Sequence, residues 1–316
     1  MRVLLLGYSA IARKRIVPAL HAINAVEGLD IACQRRDADI VSPLPGTIYH
    51  DYAEALADSR ADVVYISLIN SLHAEWAEAA LIAGYHVIID KPAFTRLSDA
   101  TRLVELAQRK RRLLAEATVF ACHPQIKAIR ETFVKYKTSP SRISAVLSFP
   151  PLDEANFRYG AVFGGGALLD LGPYAIAAGQ LFFDDAPERL EAVVNHHNGE
   201  VEVSFSVLAK YRDGQTMVGH FGFDTEYQNS ILLLGNGLSI AAERIFTIPA
   251  DKENILAVRR HDSYWHQRVP AADCFKNYFE MIFDALDGGD IQRYSQQLLQ
   301  AAQLLEQLVL SARGAA

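Results

Sequence analysis

The sequence predicts an α/β chain of two domains: a doubly wound parallel sheet, then an α/β domain with a largely antiparallel open sheet. Three observations carry that reading. Apolar strands alternate with helical patterns from residue 2 to residue 117. A turn at 7–12 containing a glycine joins the first strand directly to a helix. Beyond residue 190, short alternating strands are separated by the tight-turn pairs Asn198-Gly199, Asp213-Gly214 and Asn236-Gly237. The division falls at 121/122, giving domains of 1–121 and 122–316.

Composition bounds the function. With 316 residues, 50% of them apolar, the chain can bury two cores. A net charge of −6 with mixed signs points away from nucleic acid, which needs clustered cations. The basic run QRKRR at 108–112 reads as a solvated helix end, where cations are favoured. Cys33, Cys122 and Cys274 form no CxxC pair, which argues against a disulfide scaffold or structural zinc. His196 and His197 are adjacent beside a turn, so their side chains diverge and no metal site is expected. No stretch approaches a membrane span, and the apolar opening VLLLG is too short and too early for a signal peptide. A cytoplasmic protein is expected.

The stretch YHVIIDKPAF at 85–94 anchors the first domain. Val87, Ile88 and Ile89 read as a buried parallel strand ending in Asp90, Lys91 and Pro92. The end of such a strand lies near the crevice where open α/β sheets bind ligands. Lys91 is therefore either a group that polarises an oxygen or a strand-end ion pair.

The first strand, 2–6, runs into GYSAIA at 7–12, followed by a helical pattern through Ile16, Leu20 and Ile23. A strand, a glycine turn and an immediate helix place backbone N–H groups against a pyrophosphate. Gly7 holds the first position of the G-x-G-x-x-G fingerprint, and Ser9 and Ala12 stand at the second and third. Gly7, Ser9, Ala10 and Ile11 are thus candidate cofactor contacts, and the Ser9 hydroxyl either caps the helix or meets a phosphate. The other reading is an ordinary strand-to-helix turn.

After the second strand, 29–33, an NAD site usually places an acidic residue beside the ribose. Here Arg35 and Arg36 follow Gln34, a pair suited to a 2′-phosphate if it does not simply face solvent, so NADP is preferred over NAD. Two prolines and a glycine within 39–50 leave no crossover helix before 52–56. A strand at 62–67 ends at Ser67, a candidate cofactor contact; Asn70 or Ser71 then caps a helix or touches a nicotinamide ribose, and His73 in the first turn either touches ligand or is structural. A strand at 113–117 makes a fifth parallel candidate.

In the second domain, a helix opens at His123-Pro124 and a strand runs over 143–149. Arg158 precedes Gly164, Gly165 and Gly166, where something is expected to approach the backbone closely. Asp170 and Tyr174 are four apart on one helix face, with Pro173 suggesting a loop that hands over to a helix there. Tyr174 either exchanges a proton with an alcohol or packs in the core. Strands follow at 190–195, 201–208, 216–223, 230–234 and 238–241. The cluster RRHDSYWHQRV at 259–269 either lines a pocket or packs on the surface, and helices close the chain at 272–286 and 294–310.

GYSAIA at 7–12, SLINSLH at 67–73, GYHVIIDKP at 84–92, CHP at 122–124 and GGGALLDLGPY at 164–174 together resemble the Gfo/Idh/MocA oxidoreductases over nearly the whole chain. The resemblance implies a Rossmann domain joined to an open-sheet domain that often forms a dimer contact. It implies that Lys91 is catalytic and orients substrate, in a family that usually carries Glu where this chain has Asp90. Tyr174 replaces the histidine of many members, as in the branch with glucose-fructose oxidoreductase, dihydrodiol dehydrogenases and nucleotide-sugar ketoreductases. Arg158 falls near an arginine that relatives place by substrate or cofactor. Two departures stand out: Ala121 and Cys122 occupy the place of an arginine before His-Pro, and the segment after the second strand is short.

The expected reaction is hydride transfer between an NADP or NAD nicotinamide and a sugar-like, nucleotide-sugar or cyclic polyol substrate. Tyr174 would exchange the proton, Lys91 would polarise the oxygen, and Asp170 would bind a neighbouring hydroxyl, with Arg158 at the substrate. A homo-oligomer through the second-domain sheet is expected. The rival readings are a lyase or glycosidase assisted by retained NAD, and a noncatalytic dinucleotide-binding regulator.

Overall fold

The computed structural model describes residues 1–35 and 39–314. They form two compact units, one of Met1–Thr118 with Phe275–Gln303, the other of Val119–Cys274 with the residues from Leu304 on.

The first unit carries six parallel strands: β1 (Arg2–Leu6), β2 (Gly28–Ala32), β3 (Ile48–Tyr49), β4 (Val63–Ile66), β5 (His86–Ile89) and β6 (Leu114–Glu116). Their order is β3-β2-β1-β4-β5-β6, so the winding reverses between β1 and β4, the switch point of a doubly wound sheet. The apolar runs of β1, β4 and β5 are buried because helices cover both faces. The two-residue strand β3 was not legible among the prolines of its segment; it pairs Ile48 with Ile31 at the sheet edge.

Helices fill the crossovers. A π-type turn over Ala12–Ile16 continues into α1 (Val17–His21). Helix α2 (Tyr52–Asp58) is capped by Asp51, whose carboxylate accepts from Glu54 N at 2.9 Å. Helix α3 (His73–Ala83) ends at Gly84 in the left-handed region, and α4 (Leu97–Lys110) presents its basic end to solvent.

In the second unit, α5 (Pro124–Lys135) begins at His123, whose Nδ1 accepts from Gln125 N. Strand β7 (Pro140–Ser148) leads to α6 (Ala167–Phe183). Then come β8 (Arg189–His197), β9 (Glu202–Lys210), β10 (Thr216–Gly222), β11 (Gln228–Gly235), β12 (Leu238–Glu243), β13 (Asn254–Arg260) and β14 (Ser263–Val269). The order is β14-β13-β12-β11-β7-β10-β9-β8, antiparallel except for the β7–β10 pair. Ile143, Leu147, Phe205, Met217 and Phe221 turn inward with Leu168, Leu171 and Ala175 of α6 to form the core. The opposite face exposes Val193, Leu208, Val218, Leu232 and Ile255.

Of the two readings of the cluster at 259–269 the surface one holds: it is the β13–β14 hairpin turning at His261, with Tyr264 and His266 exposed, its alternation masked by charged outward positions. Two expectations are corrected. Helix α6 starts at Ala167 and contains Pro173, so the proline does not mark its beginning. The last helices, α7 (Cys274–Gly288) and α8 (Gln292–Ala312), are not wholly part of the second domain, since Phe275–Gln303 returns to the first unit. There Phe279 meets Tyr65 edge-on at 5.5 Å, and Tyr278 donates to Glu116 O at 2.9 Å.

Candidate active site

In the first unit, β1, β4, β5 and β6 end side by side at one edge, and Gly7, Ser9, Ser67, Asp90 and Lys91 follow those strand ends. Gly7 has φ +93, and a Cβ on it would stand 2.3 Å from Ser67 O, so only glycine fits between the β1 and β4 ends. Ser9 follows, then Ala10 and Ile11, both exposed, while Ala12 is fully buried under the helix start. This loop, pressed against the sheet with its tip in solvent, fits the pyrophosphate of a dinucleotide. The Ser9 hydroxyl accepts from Ala12 N at 3.0 Å, so it serves as the cap.

Tyr8, missed by the sequence reading, ties the loop to the segment after β2: its hydroxyl donates to Val41 O at 3.1 Å and accepts from Val41 N at 3.3 Å. A single aromatic after a glycine gives no signal of that long-range bond. Arg35 stands exposed beyond β2, and Arg36 lies outside the described residues.

Asp90 is held on both oxygens. Tyr65 donates to Oδ1 at 2.5 Å and Ser67 to Oδ2 at 2.7 Å. Burial, and after it the charge of Asp90, push the Tyr65 phenol well above its ordinary range, so it remains a donor. Asp90 is therefore a brace for the strand end rather than an open ligand group. Lys91 and Pro92 follow through a cis peptide bond.

His73 does not reach solvent. It is fully buried, with Nδ1 2.9 Å from Pro92 O and Nε2 3.1 Å from Leu68 O. Burial lowers its pKa, against the opposing pull of Asp90 and the surrounding carbonyls. The expectation of a cofactor contact gives way to a structural one, since both ring nitrogens face backbone and a neutral ring donates to one of the two carbonyls. Asn70 lies buried in the short turn Asn70–Leu72 that precedes it.

Glu116 was also missed. It closes β6, beside the strand that carries Lys91. Its carboxylate accepts from Ala93 N at 2.8 Å and from the Thr118 hydroxyl at 3.0 Å. Burial pushes this carboxyl above its ordinary value, and the backbone N–H, the Thr118 hydroxyl and the Lys91 ammonium pull it back. A polar residue ending an apolar strand next to the lysine strand was the available signal.

In the second unit, the glycine run serves a close approach of the chain to itself. A Cβ on Gly165 would lie 2.5 Å from Arg158 O, and Gly166 N donates to that same oxygen at 2.8 Å. The run thereby clamps Arg158 over the start of α6, where its Nε meets Asp170 Oδ2 at 2.8 Å. Its guanidinium also lies 4.7 Å above the Phe157 ring. One turn on, the half-buried Tyr174 ring packs against Phe120 and Phe246, each at 5.5 Å.

The first unit thus presents a dinucleotide loop beside a lysine at a strand end. The second presents an arginine–aspartate pair one helical turn from a tyrosine. Among the described residues, no helix is long and apolar enough to cross a membrane, and no group of three or more His, Cys, Asp or Glu could hold a metal ion.

Known proteins match this chain in both of its parts. Residues 1–118 match the model of the oxidoreductase family with an NAD-binding Rossmann fold, and residues 139–241 match the GFO/IDH/MocA C-terminal domain. The chain is 32% identical to the dTDP-3,4-didehydro-2,6-dideoxy-alpha-D-glucose 3-reductase of Actinomadura kijaniata, covering 99% of this chain and 96% of that one. It is 30% identical to a D-xylose 1-dehydrogenase (NADP(+)) of Haloferax volcanii over 70% of this chain and 69% of the relative. The crystal structure of KijD10, a 3-ketoreductase from Actinomadura kijaniata in complex with NADP and TDP-benzene, superposes with a TM-score of 0.91 at 31% identity. That superposition covers 98% of this chain and 97% of KijD10. The chain belongs to the Gfo/Idh/MocA oxidoreductase family and is an NAD(P)-dependent enzyme.

Proposed function

We propose that the chain is an NADP-dependent reductase of a ketosugar carried on a nucleotide. The observation that carries this reading is the near full-length similarity to a 3-ketoreductase solved with NADP and a TDP ligand. When bound, the cofactor supplies or accepts the hydride. The residues of this chain do the rest. Gly7 to Ile11 would seat the pyrophosphate, and the Arg35-Arg36 pair of the sequence would supply the positive charge for a 2′-phosphate. Asp90, Ser67, Asn70 and Pro92 shape the nicotinamide side. Lys91 polarises the carbonyl oxygen, and Tyr174 exchanges its proton. Asp170 and Arg158, already paired at 2.8 Å, orient neighbouring sugar hydroxyls.

The exposed apolar face of the second-unit sheet supports a homo-oligomer formed through it. A cytoplasmic location is in keeping with the scattered cysteines.

A panel of nucleotide-linked ketosugars, free sugars and polyols, assayed with NADPH and NADH, tests the proposal. A nucleotide-linked ketosugar with NADPH is expected to give the highest kcat/KM. Preference for free polyols would overturn the substrate class, and unchanged NADPH preference in Arg35→Ala and Arg36→Ala would overturn the cofactor reading.

A further inference from the structure

We propose that Ser9, standing where a glycine-fingerprint loop carries its second glycine, is a positioning residue that couples the dinucleotide loop to the Lys91 strand end. The inference rests on the oxidoreductase reading and goes beyond it. The coupling is a directed chain of hydrogen bonds. Ser67 donates its single hydroxyl proton to Asp90 Oδ2 at 2.7 Å, so in the 2.8 Å contact between Ser9 Oγ and Ser67 Oγ the donor is Ser9. Ser9 Oγ in turn accepts from Ala12 N at 3.0 Å. The order is therefore Ala12 N–H to Ser9, Ser9 to Ser67, and Ser67 to Asp90, the residue next to Lys91.

Each link has its direction fixed by the one beyond it. Tyr65 occupies the other oxygen of Asp90 at 2.5 Å, which leaves Oδ2 to Ser67. Ser67 is 2% exposed, so water does not compete for its hydroxyl. A glycine at position 9 would seat a phosphate as well but would leave the chain without its first hydroxyl. The serine is thus selected by what it holds across the β1, β4 and β5 ends, and a loop seated by cofactor steadies Asp90 and, through it, Lys91.

The test uses the full chain as Ser9→Gly, Ser67→Ala and the double variant. NADPH affinity is read by fluorescence, kcat and KM by turnover, and amide hydrogen exchange over residues 86–94 with and without NADPH. In the parent protein, NADPH is expected to slow exchange over 86–94. Ser9→Gly, which restores the fingerprint glycine, is expected to keep the NADPH Kd within about threefold, to lower kcat about tenfold, and to abolish that slowing. The double variant is expected to be no worse than Ser67→Ala alone, as for two members of one chain.

Persistence of the NADPH-dependent slowing in Ser9→Gly, its absence in the parent, or additive losses in the double variant would overturn the proposal. If Ser67→Ala does not fold, Ser9→Gly, in the loop, carries the test alone. Should no substrate of the panel turn over, the function proposed above fails, and the exchange measurement still decides the coupling.

Discussion

Arg158 reaches across twelve residues to place Nε 2.8 Å from Asp170 Oδ2. Asp170 is 5% exposed, while the Arg158 side chain keeps 29% of its surface. A buried carboxylate is therefore paired with a partly solvated guanidinium, and the glycine run lets the Arg158 backbone come close. Arg158→Ala is expected to destabilise the protein by about 2 kcal/mol, below the cost of breaking a fully buried pair because solvent screens the guanidinium. Urea denaturation measures it.

Lys91→Ala is expected to slow single-turnover hydride transfer at saturating substrate by about a hundredfold or more, the usual contribution of a positioned acid or polarising group. An unchanged rate would remove Lys91 from the chemistry.

Gly7→Ala forces a side chain into the left-handed region and against Ser67 O, 2.3 Å from the new Cβ. The loop must move, so NADPH binding is expected to weaken by about tenfold or more, in line with a strain of about 1–3 kcal/mol. Titration of NADPH fluorescence reads it.

The raised Glu116 carboxyl fixes the sign of a pH effect. Above its unfolded value the folded protein binds more protons than the unfolded chain, so this group's contribution falls as pH rises through that value toward the folded one. Wild type is expected to lose stability relative to Glu116→Gln over that interval. Parallel denaturation curves across the acid range check this, and a constant difference between the two proteins would refute it.

Val218 and Leu208 are direct cross-strand partners, and both are exposed on the outer sheet face. Placing charge there, as Val218→Asp with Leu232→Glu, is expected to shift sedimentation from an oligomer to a monomer while the inward core is left intact. A wild-type protein that sediments as a monomer would end the oligomer proposal.

Much of the first unit was legible because its strands are buried on both faces and read as unbroken apolar runs, as at 87–89 and 63–66. The lysine, the glycine loop and the Asp170–Tyr174 spacing could be read because they are local. What escaped was carried by distant partners. Tyr65 sits inside an apolar run and only the fold shows its hydroxyl meeting Asp90. His73 looked available at a helix start, and only burial shows it facing inward. The β13–β14 hairpin escaped because its outward positions carry Arg259, Tyr264 and His266, which read as a cluster of function rather than one side of a strand.

Strand β7 lies in the middle of the second sheet, yet it is the first of that sheet's strands to leave the ribosome. Its neighbours are β10, in register at Ile143 with Met217, and β11, in register at Ile143 with Leu233. The centre of the sheet therefore cannot be assembled until both later strands have emerged, whereas the β8–β9 hairpin can close at once. Such delayed, long-range pairing slows folding and leaves an apolar strand waiting in the nascent chain, where chaperones would first find it.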